Sequence, residues 1–184
     1  MQTGILDESL CYLIGAMECA SDNGISWRAE LIQLCKAKDL KIKFLDPTNK
    51  VRVLQKEIGE EREKNAKLKR DGSWEELTNF MKIVVRQDHR CVDLSDFVIF
   101  YLDPTLHTCG SYFEFQSTLT QKKPYFIIVP QGKSQTPSWL FGICDHTKIF
   151  DNIDQVVDQL VALNNGSEPL SDRWVLFRKQ INEI

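Results

Sequence analysis

Short apolar runs alternate with stretches of helical periodicity along most of the 184 residues, and that alternation leaves the chain few architectures. A strand, a helix and a second strand in succession return in parallel, because the crossover helix carries the chain back to the same end of the sheet. Cys11 to Ile14, Ile42 to Leu45, Phe97 to Leu102 and Tyr125 to Val129 are the clearest such runs. Strands covered on both faces read in this nearly continuous apolar way. Thr147 to Phe150 predicts a short fifth strand, followed by Asp151 as a plausible cap for a helix over 153–163. The expectation is an α/β fold with a flavodoxin-like (Rossmann-like), five-stranded, mainly parallel sheet and helices on both faces.

The length fits one domain spanning 1–184. Two segments stand apart from the alternating pattern. A block dense in Lys and Glu, from Gln55 to Arg70, predicts a charged insertion at about 50–72, either a solvated helix or excursion, or a mobile lid or partner surface. Near the end, Asp172 is placed to cap a closing helix at about 172–183 through Trp174, Leu176, Phe177 and Ile181. No apolar run approaches the roughly 20 residues of a membrane span. A net charge of −3 offers no broad basic surface for polymeric nucleic acid. The six cysteines are scattered singly and the N-terminus lacks a secretion pattern, which points to a cytoplasmic protein with reduced thiols.

The segment Leu102-Asp103-Pro104-Thr105-Leu106-His107-Thr108-Cys109-Gly110-Ser111-Tyr112-Phe113-Glu114 places a loop, a helix start and a lone acid just after a strand. In an open parallel sheet, ligands bind in the crevice past the carboxyl ends of the strands. Glu114 is therefore a candidate nucleophile at the mouth of a site, although Ser111-x-x-Glu114 also reads as a capping box. Ser73-Trp74-Glu75-Glu76 is a second such box, followed by an apolar stripe of Leu77, Phe80, Met81, Val84 and Val85. Asp88 comes next on that face, where a carboxylate has lost water and must be paired, protonated or used. Asp103 either ends its strand in a turn or faces ligand, and Tyr12, before Gly15-Ala16-Met17, is either core or a hydroxyl at the site. His89-x-Cys91, His107-x-Cys109 and Cys144-x-His146 bring no second thiol at zinc-site spacing, so no metal is assigned. No glycine-rich phosphate loop is present either.

Three pieces together resemble the nucleoside 2-deoxyribosyltransferase family and the related nucleotide N-glycoside hydrolases. They are Cys11-Tyr12-Leu13-Ile14-Gly15-Ala16-Met17, then Asp88 ahead of Val92-Asp93-Leu94-Ser95-Asp96-Phe97-Val98, then Gly110-Ser111-Tyr112-Phe113-Glu114. A later stretch, Ser138 to Ile143 leading into Thr147 to Phe150, is similar to the family's end region. The resemblance covers about residues 10–160, and the charged block at 50–72 matches nothing in it. It implies Glu114 as the carboxylate that attacks the anomeric carbon, Asp88 as the acid that protonates the departing base, and Tyr12 as the residue holding the nucleophile. Gly15, Met17, Asp103, Thr108, Gly110 and Ser111 are implied as substrate-binding. It also implies a small nucleoside or nucleotide substrate, no cofactor and a homo-oligomer. Transferases of the family carry an aspartate six residues before the nucleophile where this chain has Thr108, while the nucleotide hydrolases carry a serine there. That difference tilts the substrate toward a 5'-monophosphate, since a hydroxyl donates to a phosphate that a carboxylate repels. The alternatives are a deoxynucleoside 5'-monophosphate N-glycohydrolase and a non-catalytic nucleotide-binding or sensing module.

Overall fold

Strand β1 (Leu10–Gly15) is buried at all six positions, so it needs cover on both faces. The computed structural model describes residues 4–49 and 60–176, with backbone alone for Glu60 and Glu61. In it β1 lies inside a five-stranded sheet with β2 (Lys43–Leu45), β3 (Phe97–Tyr101), β4 (Tyr125–Ile128) and β5 (Ile149–Phe150). The order is β2-β1-β3-β4-β5 and every pairing is parallel, with Cys11 opposite Phe97 and Gly15 opposite Tyr101. This is the flavodoxin-like order. Its strands start and end within three residues of the apolar runs that predict them.

Successive strand residues point to opposite faces, and the core divides accordingly. Cys11, Leu13, Phe97, Ile99, Phe126 and Ile128 meet Trp27, Leu31 and Cys35 of α1 (Ile25–Ala37) and Val156, Val157 and Leu160 of α6 (Ile153–Asn164). Tyr12, Ile14, Val98, Phe100 and Ile127 meet Val92 of α3 (Trp74–Leu94), Phe115 of α4 (Cys109–Thr120) and Leu140 of α5 (Ser138–Ile143). Each fully buried side chain of this size contributes about 1.5–3 kcal/mol relative to exposure. Asp96 fixes where β1 begins, since its Oδ2 accepts from the backbone N–H of Leu10 at 2.7 Å.

The charged block forms α2 (Glu60–Asp71), which packs on α3, while residues 50–59 lie outside the described residues. At 21 residues α3 is about 31 Å long, whereas the five residues of β3 span about 17 Å. Much of α3 therefore overhangs the carboxyl edge of the sheet. Val85, predicted on the buried stripe, is 48% exposed although Val84 is 6% exposed, because it lies about 100° round the helix from Val84, off the line of Met81, Val84 and Asp88.

Several cap assignments need correction. Ser73 precedes α3 but its side chain makes no cap bond. The cap of α6 is Asn152, which accepts from the Gln155 N–H, and not Asp151, which instead accepts from the Lys133 N–H. Helix α4 starts at Cys109, so Ser111 is its third residue and Glu114 its sixth; the Ser111-x-x-Glu114 capping box does not form. The predicted closing helix is absent over 172–176, where the chain makes a turn and continues without regular structure, and 177–184 lie outside the described residues. Trp174 instead lays its ring against Phe97 and Phe126. No described helix is long and apolar enough to cross a membrane.

Candidate active site

The strand order reverses between β1 and β3, so their following loops diverge and leave a crevice at the carboxyl edge. A cavity of about 240 Å³ lies there. Its lining comes from Gly15 to Cys19 after β1, from Arg62 and Asn65 on α2, from Phe80, Met81, Val84 and Asp88 on α3, and from His107 to Ser111 with Glu114 around the start of α4. The volume falls just under the range of about 300–1,000 Å³ usual for small-molecule pockets. It suits one small ligand.

Two of the three central groups are joined directly. Tyr12 is fully buried in the middle of β1, on the sheet face that packs against α3 and α4, and its hydroxyl donates to Glu114 Oε1 at 2.8 Å. Burial first, then the charges of Glu114 and Asp88, pushes the Tyr12 phenol well above its ordinary value. The phenol thus stays a donor over the working pH range, and a donor aimed at a carboxylate favours its ionised form. Glu114 is the sixth residue of α4, beyond the first turn in which a helix macrodipole acts. Asp88 and Glu114 line the same cavity from two different helices, one on α3 and one on α4.

Thr108 immediately precedes α4, is 6% exposed, and has its Oγ1 buried without a hydrogen-bond partner. Among the described residues only Asn65 Oδ1 and Thr136 Oγ1 share that condition, and Asn65 lines the same cavity. Gly110 is not demanded by packing, since a Cβ there would meet nothing within 4 Å. Gly15 is demanded, because a Cβ would come within 2.8 Å of the Trp27 ring.

The loop from Ala16 to Gly24 is held from beneath by a residue that the motif reading passed over. Arg28 on α1 is 0% exposed, and its guanidinium donates to the carbonyls of Leu13 (3.2 Å), Gly15 (3.1 Å) and Gly24 (2.6 Å). It stands 3.7 Å from Asp46, past the end of β2, and 4.5 Å over the Trp27 ring. Burial lowers the Arg28 value, and Asp46, Tyr12 and Glu114 oppose that shift. One signal could have found it, since Arg28, Leu31 and Cys35 share one helical face at the three-and-four spacing. Gly24 is forced by the same fit: its φ is +71°, and a Cβ would lie 2.3 Å from the Ala16 carbonyl oxygen.

Of the nine sequence-predicted site residues, Gly15, Met17, Asp88, Thr108, Gly110, Ser111 and Glu114 line the cavity, and Tyr12 reaches it through Glu114. Asp103 does not line it. Its Oδ1 accepts from the Thr105 N–H at 2.9 Å and the Thr105 hydroxyl at 2.6 Å, and it borders a neighbouring depression with Trp27 and Tyr101. A broader hollow of about 700 Å³ at the α2–α3 turn, around Trp74, Phe80 and Ile83, contains none of these groups.

No family model matches the chain, and no curated protein matches it. Among solved structures it is similar to a conserved protein from Enterococcus faecalis V583, at 14% identity over 96% of this chain and 99% of that one, with a TM-score of 0.48.

Proposed function

We propose that the protein cleaves or exchanges the N-glycosidic bond of 2'-deoxynucleosides or their 5'-monophosphates, without a cofactor. The observation that carries this reading is the Tyr12 hydroxyl, donating at 2.8 Å to Glu114 in a small cavity that Asp88 also lines. An ionised carboxylate held in place by a neutral phenol is the environment a nucleophile needs, and a second carboxyl beside it serves as the acid.

A Glu114 oxygen attacks the anomeric carbon as the carbon–nitrogen bond breaks, and the bond's electron pair leaves with the base. The base nitrogen takes the proton of the Asp88 carboxyl, leaving a glycosyl ester on Glu114. Water or a second base then attacks the same carbon and gives its proton back to Asp88, and Glu114 departs as carboxylate. Tyr12 acts as a positioning residue throughout.

The monophosphate variant has its own support. Thr108 leaves an unpartnered hydroxyl at the N-terminus of the 12-residue helix α4, and Arg62 lines the same cavity. Helix N-termini favour anions, and a phosphate would satisfy that hydroxyl. Incubation with a panel of deoxynucleosides and 5'-monophosphates, with and without a second free base, separates the readings by product. Free sugar marks a hydrolase and base exchange marks a transferase. Glu114→Gln is expected to lower turnover more than a thousandfold, the scale seen on removing a nucleophile. A protein that binds these ligands equally well with Glu114 or Gln, and turns none over, is a binding module instead. We further propose that the protein is cytoplasmic and self-associates, which light scattering at several concentrations tests.

A further inference from the structure

We propose that Asn65, on the charged helix α2, reads the hydrogen-bonding edge of the nucleobase and sets base preference. The inference rests on the glycosidic reading above and assigns a role to the one segment that the family resemblance leaves unplaced.

Buried amides are almost always hydrogen-bonded, because leaving one unpaired costs free energy. Asn65 departs from this. Its Oδ1 is buried without a partner, and its Nδ2 donates only to the Met81 thioether at 3.8 Å. Sulfur is a weak acceptor and no donor, so exchanging the two ends of the amide loses even that bond and does not satisfy the group. An apolar side chain would suit the position better if packing were its only role.

The location selects the ligand group. On α3 the cavity-lining residues run from Asp88 through Val84 to Met81 and Phe80. Asp88 and Met81 are seven residues apart, about 10 Å along the axis. With the glycosidic nitrogen at Asp88, the base extends along Val84, and its far edge reaches Met81 and therefore Asn65. The sugar's 5' end belongs instead to the wall built by Thr108, Gly110 and Ser111. Helix α2 is tied over the loop after β1, where Arg62 donates to the Ala20 carbonyl at 3.3 Å and Lys69 pairs with Glu18 at 2.8 Å. Asn65 lies between those two ties in sequence. An amide offers one donor and one acceptor side by side, complementary to the paired groups on a base edge. A site built to hydrogen-bond its substrate discriminates strongly against one that cannot return the bonds.

The test measures kcat/KM for the four common 2'-deoxynucleosides, and for their 5'-monophosphates, with wild-type protein, Asn65→Leu and Asn65→Asp. Asn65→Leu is expected to narrow the spread between the best and worst base by tenfold or more. Asn65→Asp keeps the shape and removes the donor, so bases with a carbonyl on the far edge are expected to lose more than those with an amino group. Loss by one common factor for all four bases, or an unchanged spread, overturns the proposal. Titration of the same nucleosides into Glu114→Gln, with and without Asn65→Leu, reads base preference without turnover. A preference in binding that Asn65→Leu leaves intact overturns the role of Asn65 whatever becomes of catalysis, and absence of turnover in wild type counts against Glu114 alone.

Discussion

Replacing Arg28 by methionine tests whether a single buried cation holds the floor of the site. The substitution keeps a flexible chain of similar reach but removes the guanidinium donors to the Leu13, Gly15 and Gly24 carbonyls and the charge 3.7 Å from Asp46. A buried acceptor left unpaired costs roughly 1–3 kcal/mol. Removing one member of a buried ion pair costs about 3–5 kcal/mol, though Asp46 is 18% exposed and recovers part of its solvation. With about 1 kcal/mol for each of the three carbonyls, about 2 kcal/mol for the partly solvated Asp46 and about 1–2 kcal/mol returned by burying the thioether, the net loss is about 3–4 kcal/mol. Against a total stability of about 5–15 kcal/mol, that is a large share. Urea unfolding followed by tryptophan fluorescence reads it directly, since Trp27 packs against the guanidinium. With a slope of about 2 kcal/mol per molar, the midpoint falls by roughly 1.5–2 M. Arg28→Lys, which cannot fork between several carbonyls, is expected to recover less than half. A midpoint within about 0.3 M of wild type for Arg28→Met, or full recovery by lysine, would refute the clamp.

Four further outcomes follow from the geometry. Tyr12→Phe removes a donor to a charged group, worth about 1.5–3 kcal/mol, so kcat/KM is expected to fall between about 10- and 150-fold; an unchanged kcat/KM counts against the contact. Gly24→Ala places a Cβ 2.3 Å from a carbonyl oxygen at φ +71° and is expected to lower the melting temperature by several degrees; an unchanged melt contradicts the fit. Tyr12, Tyr101, Tyr112, Tyr125, Cys11 and Cys35 all have values raised chiefly by burial, Cys35 to about 12. The unfolded chain therefore releases these protons first, and stability is whole below about pH 8.5 and falls as pH rises through the raised values; a flat urea midpoint from pH 8 to pH 11 contradicts this. A thiol reagent at pH 8 is expected to label exposed Cys19 and Cys109 quickly and Cys11 and Cys35 only on unfolding; rapid labelling of more than four thiols opposes the burial assignment.

What could be read in advance was whatever left a periodic or local mark. The strands were legible because apolar runs bounded by turns have few other uses, and their parallel pairing follows from crossover helices. Asp88 stood out as an acid at the end of an apolar stripe, and Glu114 as a lone acid in the loop-and-helix start after a strand; both line the cavity. Asp103 was left between two readings, because an acid before proline serves a turn as readily as a ligand; it makes the turn bonds to Thr105 and stands outside the main cavity. The Ser111 capping box was misread because the motif spans only four residues and α4 starts at Cys109, three residues before the start that a Ser111 cap implies. Asn65 was invisible, since nothing local marks one amide in a charged helix as buried; only the packing of α2 on α3 does so. Val85 was misplaced because three-and-four spacing admits both Val84 and its neighbour to the stripe, and only the packing shows which of the two faces inward.

Strand β1 carries apolar residues on both of its sides, so oiliness alone does not dictate how it slides against its neighbours. A slip by one position would bury almost the same area while turning every side chain over. What forbids the slip is polar and steric: a phenol that must meet its acid, a position with no side chain beneath an indole, and an aspartate catching the first amide. The chain thus sets its alignment with the same few atoms that shape the pocket, and a substitution among them endangers correct assembly of the sheet as much as turnover.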